Sequence, residues 1–333
     1  MTIDIDVLAS VIEQSGLRGR LYCRSQARAP WGLDFDGGAD AGALFHLVVS
    51  GACWLLHGGK RTQLVAGDVV LVPRGRRHAL ADHPSSPRIR LGDWLGGLGG
   101  GMVGDAPRPL GSASGAETEV LCGVFAHAPH MLRQPVLDLL PDWLHVRARA
   151  GRASAELEAT VSSLRAESAM GERGSALIVS RLLDILFVQI VRAWAGGDPA
   201  RAGWIGALRD PVLAQALAAM HDAPAHDWDV TALARRCGSS RATLARKFKA
   251  QVGQPPLAYL TQLRMDLAAR RLATSHDVLA VVAASVGYSS QFAFSRAFRR
   301  AFGTSPAMFR DAVATRVGAT SDAQERARAP TPV

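Results

Sequence analysis

Lysine, tyrosine and cysteine are scarce in this chain, and no long uninterrupted hydrophobic run occurs. Lysine is found only at Lys60, Lys247 and Lys249, so 35 of the 38 basic residues are arginines. Four cysteines (Cys23, Cys53, Cys122 and Cys237) are too few and too scattered for a disulfide framework. No CxxC is present to suggest a thiol oxidoreductase or a zinc ribbon. The longest apolar stretch, residues 176–195, is broken by Arg181, Asp184, Gln189 and Arg192. It reads as an amphipathic core helix, which argues against a membrane partner. The first residues, MTIDIDVLAS, carry no apolar signal core. The compartment these absences predict is the cytoplasm, where thiols stay reduced.

What the chain does have is enough apolar material for two cores: 48% of its 333 residues are hydrophobic. That excludes a mostly disordered or collagen-like polymer. Its net charge is +9, from 38 basic and 29 acidic residues. The excess is local. Residues 205–310 hold 14 Arg/Lys and 6 Asp/Glu, a net of +8, which leaves +1 for everything else. A localised basic surface points to an anionic partner, most often nucleic acid.

Residues 20–130 read as β-rich. FHLVVSG (45–51), ACWLLHGG (52–59) and QLVAGDVVLVPRG (63–75) set apolar runs between glycine turns, as in an antiparallel sandwich or barrel. GGLGGGMVGDAPRP (96–109) is a surface loop by composition, because no Gly-Lys-Ser/Thr follows to make a phosphate cradle. Segments 131–149 and 154–195 have helical spacing and are expected to be connector or protomer-pairing helices. GGDPARAG (196–203) is a linker signal, and 316–333 reads as a disordered tail. The expected domains are 1–130, 131–203, 204–312 and a tail at 313–333.

The C-terminal part repeats itself at an offset of 50. Ser240 matches Ser290, Arg246 matches Arg296, Phe248 matches Phe298, Gly253 matches Gly303 and Pro256 matches Pro306. Each copy reads as helix, tight turn, helix. In the first, Asp229 caps a helix with Val230, Leu233, Ala234 and Cys237 inward; Gly238-Ser239 breaks it, and Ser240 caps the next. Leu244, Phe248 and Val252 face the core, and Gly253 ends the helix. In the second, Asp277 starts a helix with Val278, Val281, Val282 and Val286 inward, and Ser290 opens a helix with Phe294, Phe298 and Phe302 inward. Between them, 257–273 predicts a rod of about 25 Å. Such a rod could hold two recognition helices in successive major grooves. The outward residues include Arg241, Arg246, Lys247, Lys249, Gln291, Arg296, Arg299 and Arg300. Arginine pairs with guanine and glutamine with adenine.

LARRCGSSRATLARKFKAQVGQPPLAYL and VAASVGYSSQFAFSRAFRRAFGTSP closely resemble the tandem helix-turn-helix domain of AraC/XylS-type transcription regulators, a resemblance that spans residues 208–310. It implies a partner, double-stranded promoter DNA, and RNA polymerase as well if the chain is an activator. The family's base-facing positions fall on Arg241, Ala242, Ala245 and Arg246, then on Gln291, Phe292 and Arg296. Ser240 and Ser290, at the helix starts, are candidate phosphate contacts. Ala242 and Ala245 are small, so the first helix is expected to read fewer bases through side chains.

In the N-terminal part, Gly67-x5-Pro73-x-Gly75-x2-His78 resembles the second cupin motif, with Asp82 where that motif has asparagine. The first motif is not intact; His46 is its one remnant. An enzymatic cupin presents three or four metal ligands, so this domain is expected to be a regulatory, effector-sensing cupin. A cupin metalloenzyme with a helical appendage is the alternative. Cys23, His46, His78 and Cys122 form a candidate cluster. If they converge, they could hold Zn2+ or form a redox-active thiol pair; if not, they are buried structural residues. His127 and His130 are a weaker candidate pair, Trp31 and Trp54 could line an effector pocket, and Cys53 and Cys237 read as core. The expected fold is thus α+β and multidomain: an antiparallel cupin-like β-barrel with connector helices, then an all-α tandem helix-turn-helix domain. The effector class stays open between a small molecule, a metal and an oxidant.

Overall fold

The structure, a computed structural model, describes residues 16–37, 42–96, 108–126, 137, 140–148, 152–170, 172–196, 207 and 209–315. Most of the glycine-rich 96–109 segment, the His127/His130 pair and the 316–333 tail lie outside the described residues. The chain divides into two compact units. One comprises Leu17–Ala126 with Val136–Asp198, and the other contains the chain from Pro199 onward.

Among the described residues, the first unit has eleven strands: β1 (Arg18–Arg28), β2 (Gly32–Phe35), β3 (Ala43–Ser50), β4 (Ala52–His57), β5 (Lys60–Val65), β6 (Val69–Val72), β7 (His78–Ala81), β8 (Ile89–Arg90), β9 (Arg108–Gly111), β10 (Glu117–Ala126) and β11 (Leu144–Val146). A short helix, α1 (Leu91–Gly96), follows β8. The strands form two sheets, ordered β11-β6-β3-β10-β1-β9 and β5-β4-β7-β2-β8. Among the described residues they share no strand, so the cupin-like fold is an open sandwich rather than a closed barrel. Alternation drives it. In β1, Leu21, Cys23, Ser25 and Ala27 are buried while Arg18, Arg20, Gln26 and Arg28 are not. A core of Phe35, Val48, Leu55, Leu64, Val72 and Leu80 among others fills the space between the sheets.

Residues 131–149 were expected to be helical, but Leu144–Val146 is a strand paired antiparallel with β6. Leu144 and Val146 are buried on either side of half-buried His145, a period of two that a longer helical window averages away. Two helices follow, α2 (Arg152–Met170) and α3 (Ser175–Gly196). They belong to this unit. Asp184 of α3 accepts from the Gly19 amide at 3.2 Å and pairs with Arg18, and Phe187 packs edge-on against Phe125 at 4.9 Å. Gly19 is needed there, since a Cβ on it would lie 2.2 Å from the Leu183 Cβ.

The second unit is helical: α4 (Pro211–Asp222), α5 (Val230–Arg236), α6 (Arg241–Val252), α7 (Pro256–Thr274), α8 (Leu279–Ser285), α9 (Gln291–Phe302) and α10 (306–315). Leu244, Phe248 and Val252 of α6 are buried as expected, and so are Phe294 and Phe298 of α9; Phe302 is only half-buried. The second repeat differs from its expected packing at α8. Val282 and Val286 are buried, but Val278 is 65% and Val281 44% exposed. Asp277 does not cap α8. Its carboxylate pairs with Arg271 at 2.6 Å and Ser275 at 2.9 Å, and the helix starts after Val278.

Candidate nucleic-acid interface and sensor site

Two helix-turn-helix units stand in series in the C-terminal part. Asp229 caps α5 by accepting from the Ala232 amide at 2.6 Å. Ser240 caps α6 through the Thr243 amide at 3.2 Å, and Ser290 caps α9 through the Ala293 amide at 3.3 Å. Each cap satisfies one helix-start amide and fixes where the second helix begins. Gly253 and Gly303 close α6 and α9 in the left-handed region, at φ 85° and 74°.

With the apolar faces of α6 and α9 turned inward, the opposite faces are set by sequence alone. Arg241, Ala242 and Arg246 are exposed on α6, with Ala245 half-buried. Gln291, Phe292 and Arg296 are exposed on α9. Neither helix contains an acidic residue. Ser240 and Ser290 are engaged as caps, which leaves their helix-start amides as the natural anion-facing groups. Lys247 is diverted: its Nζ lies 2.7 Å from Asp210, the cap of α4, whose carboxyl is held below the usual range by Lys247 and two backbone amides against the opposing effect of burial.

Arg264 joins the two repeats. From α7 it donates to the Pro224 carbonyl at 2.7 Å and the His226 carbonyl at 2.8 Å, and its guanidinium lies 6.0 Å from the Tyr288 ring in the second turn. A Cβ on Gly287 in that turn would meet the Ala225 carbonyl oxygen at 2.6 Å, so the two repeats touch through backbone.

In the cupin unit, three adjacent strands align three of the candidate residues in one row. Cys23 of β1 registers with Cys122 of β10, and Cys122 registers with His46 of β3. His78 reaches them from β7 of the facing sheet. All four are buried. The His46 Nε2 lies 2.7 Å from the His78 Nε2, and the His46 Nδ1 lies 3.1 Å from the Cys122 Sγ. Cys23 lies beside Cys122 on the adjacent strand.

The proton order follows from one end. The His78 Nδ1 is 2.6 Å from the Arg76 carbonyl, which can only accept, so Nδ1 carries the proton. In a neutral ring the His78 Nε2 then accepts from the His46 Nε2–H, and the His46 Nδ1 accepts from the Cys122 thiol. Burial, then the neighbouring His78, keeps His46 well below its usual pKa; burial takes His78 down to about 4. Burial also pushes the Cys122 thiol up, with Cys23 adding to the shift. His46, His78 and Cys122 are therefore uncharged at neutral pH. Phe35 stacks on His78 at 4.7 Å, and Trp143 meets it edge-on at 5.5 Å while stacking on His57 at 3.8 Å. No sequence signal marked Phe35, His57 or Trp143 for this place.

The four residues converge as a line, not as a tetrahedron. His46 spends its two nitrogens on two different neighbours, whereas one metal ion takes a single nitrogen from each ring. Among the described residues, no group of three or more His, Cys, Asp or Glu could hold a metal ion. As arranged, the cluster does not fit a tetrahedral zinc site, one of the alternatives its residue types left open. Cys53 and Cys237 are buried core thiols, as expected, and burial pushes both upward. Trp31 is buried in the sandwich core and Trp54 is half-buried on β4.

Comparison with known proteins matches residues 6–196 to a cupin family and residues 233–312 to a helix-turn-helix domain family. An AraC-like transcription regulator of Streptomyces antibioticus is 34% identical over 92% of this chain and 98% of its own length. The transcriptional regulator AlkR of Acinetobacter baylyi is 30% identical over 92% of this chain and 99% of its own. Among solved structures, the DNA-binding domain of AdpA in complex with a target DNA is 36% identical, covering 32% of this chain and 95% of that one, at a TM-score of 0.31.

Proposed function

The chain belongs to the AraC-like transcription regulators, DNA-binding proteins rather than enzymes, and from that premise we propose how it reads DNA and where it is switched. The α6 and α9 faces enter successive major grooves of promoter DNA, with Arg241, Ala242, Ala245 and Arg246 from one and Gln291, Phe292 and Arg296 from the other toward the bases. The observation that carries this is the pair of capped turns presenting equivalent basic, acid-free faces at an offset of 50 residues. The Ser240 and Ser290 ends hold phosphates through helix-start amides. Arg246→Ala and Arg296→Ala should each weaken binding to a selected duplex by about 1–3 kcal/mol and relax preference at one position. Unchanged affinity and preference in both variants would remove these assignments. The protein acts where promoter DNA is, in the cytoplasm, with RNA polymerase as a further partner if it activates.

The cupin unit is the effector-sensing part, and the Cys23–Cys122–His46–His78 line is where the signal arrives. The supporting observation is the in-register placement of two thiols on adjacent strands beside a proton-accepting imidazole. With a hydroperoxide as two-electron acceptor, the two thiols would become a disulfide while the hydroperoxide becomes an alcohol and water. His46 would take up the Cys122 proton transiently. Zinc is the competing effector. Zinc content of protein purified under reducing, chelator-free conditions, beside Cys23→Ser, separates the two. About one zinc per chain, lost in the variant, favours a rearranged metal site; no zinc, with a Cys23–Cys122 disulfide after peroxide, favours the thiol pair.

Pairing of two protomers is assigned to α3, where Leu177, Ile178 and Ile185 are exposed along one side. Sedimentation of Ile178→Glu/Ile185→Glu tests it. A dimer that persists in the double variant would rule out this face.

A further inference from the structure

We propose that Phe292 is a specificity-determining residue that selects thymine by contacting its C5-methyl group. The proposal rests on the reading of the exposed α9 face as base-facing, and adds to it the chemistry of one position.

Phe292 is 85% exposed, the one aromatic among the described large hydrophobics left open to solvent. The other phenylalanines of α9 follow the usual rule: Phe294 and Phe298 are buried and Phe302 is half-buried. Leaving a phenylalanine in water forfeits a burial term large enough to need a reason. Packing against its own helix does not supply one, because Phe292 lies in the first turn on the face opposite Phe294 and Phe298. Exposed Gln291 precedes it at the helix start, and exposed Arg296 lies one turn on along the same face. Two groups suited to reading base edges thus flank a ring that can neither donate nor accept a conventional hydrogen bond.

The internal repeat sharpens the argument. The residue equivalent to Phe292 at the offset of 50 is Ala242, which is also apolar and exposed. The same position in both recognition helices therefore offers only apolar surface. On the major-groove edges of the four base pairs, the one methyl is that of thymine; cytosine has only a C5–H in its place, and the remaining groups donate or accept. A phenyl ring set against those polar edges would strip their water and return nothing, a penalty against guanine, adenine and cytosine. Against a methyl it buries two apolar surfaces.

The test uses the full-length chain. Duplexes selected from a random library by the wild-type protein define the site. Each thymine within it is then replaced singly by deoxyuridine, which removes the methyl and nothing else. Burying one methyl is worth about fourfold in affinity. The expected result is one thymine whose replacement weakens wild-type binding about fourfold and leaves Phe292→Ala unaffected. Duplexes selected by Phe292→Ala should lose the thymine preference at that position alone. The inference is overturned if no thymine shows this coupling, or if Phe292→Ala weakens thymine and deoxyuridine duplexes equally. A distinct result separates the underlying reading: if Phe292→Ala and Arg296→Ala both bind and select like the wild type, α9 does not face the bases, and the thymine assignment falls with it.

Discussion

His221 is a buried histidine in the C-terminal unit, with its Nε2 2.8 Å from the Tyr259 hydroxyl, and burial lowers its pKa to about 4. In the fold it is neutral from neutral pH down to about 4; in the unfolded chain it protonates near the ordinary 6.5. The unfolded state thus binds the extra proton, and stability falls as pH drops through this window. The full contribution is present above pH 6.5, and about 3 kcal/mol is lost by pH 4. His221→Gln keeps a hydrogen-bonding group but does not titrate. Thermal unfolding of both proteins at pH 7 and pH 5 should show the wild type losing more stability than the variant; equal losses would mean His221 is not the titrating group. Residue-scale roles were unevenly legible in the sequence. His78 was marked by the spacing of glycine and proline before it. The Cys23–Cys122 contact was not fixed by any local pattern: it depends on β1 pairing with β10 and on the register shift between Leu21 and Cys23.

At the scale of elements, the junction between the two repeats is a clasp. Arg264 makes two charge-assisted bonds to loop carbonyls of the first repeat and lies against Tyr288 of the second. Arg264→Ala takes the side-chain donor from the Pro224 carbonyl and leaves the His226 carbonyl with the Trp228 amide at 2.8 Å, and should cost about 2 kcal/mol in denaturant unfolding. Glycines give a matched comparison. Gly303→Ala has open space around it and pays only for a left-handed backbone at φ 74°, about 1 kcal/mol. Gly287→Ala pays for φ 80° and also drives its Cβ to 2.6 Å from the Ala225 carbonyl oxygen. It should exceed Gly303→Ala by about 1 kcal/mol or more; equal losses would argue that the contact relaxes freely. The helices themselves were readable because caps, glycine stops and the three-to-four spacing all agreed. The inward face of α8 was misread because Arg271 and Ser275 take the Asp277 carboxylate, which delays the helix start. The β11 strand was missed because three residues are too few for a period to show in a longer window.

For the whole molecule, the distribution of charge assigns the anion-binding work to one unit. Residues 205–310 hold +8 of the net +9, and the arginines of α6 and α9 lie on exposed faces rather than among carboxylates of their own helices. Duplex binding should therefore weaken with salt at a logarithmic slope of about −0.9 per phosphate neutralised, and the cations responsible should lie in this unit. Arg299 is exposed in the last turn of α9, so on the proposed docking it should meet phosphate rather than a base. Arg299→Ala should make the slope shallower by about 1 and weaken all duplexes alike, whereas Arg246→Ala and Arg296→Ala should also change which duplex is preferred. Arg61, exposed on β5 of the cupin unit, is the control. If charge asymmetry reports the binding surface, Arg61→Ala leaves the slope where it was. A slope as shallow for Arg61→Ala as for Arg299→Ala would mean that the sandwich also contacts the duplex, and that net charge by segment does not map the interface.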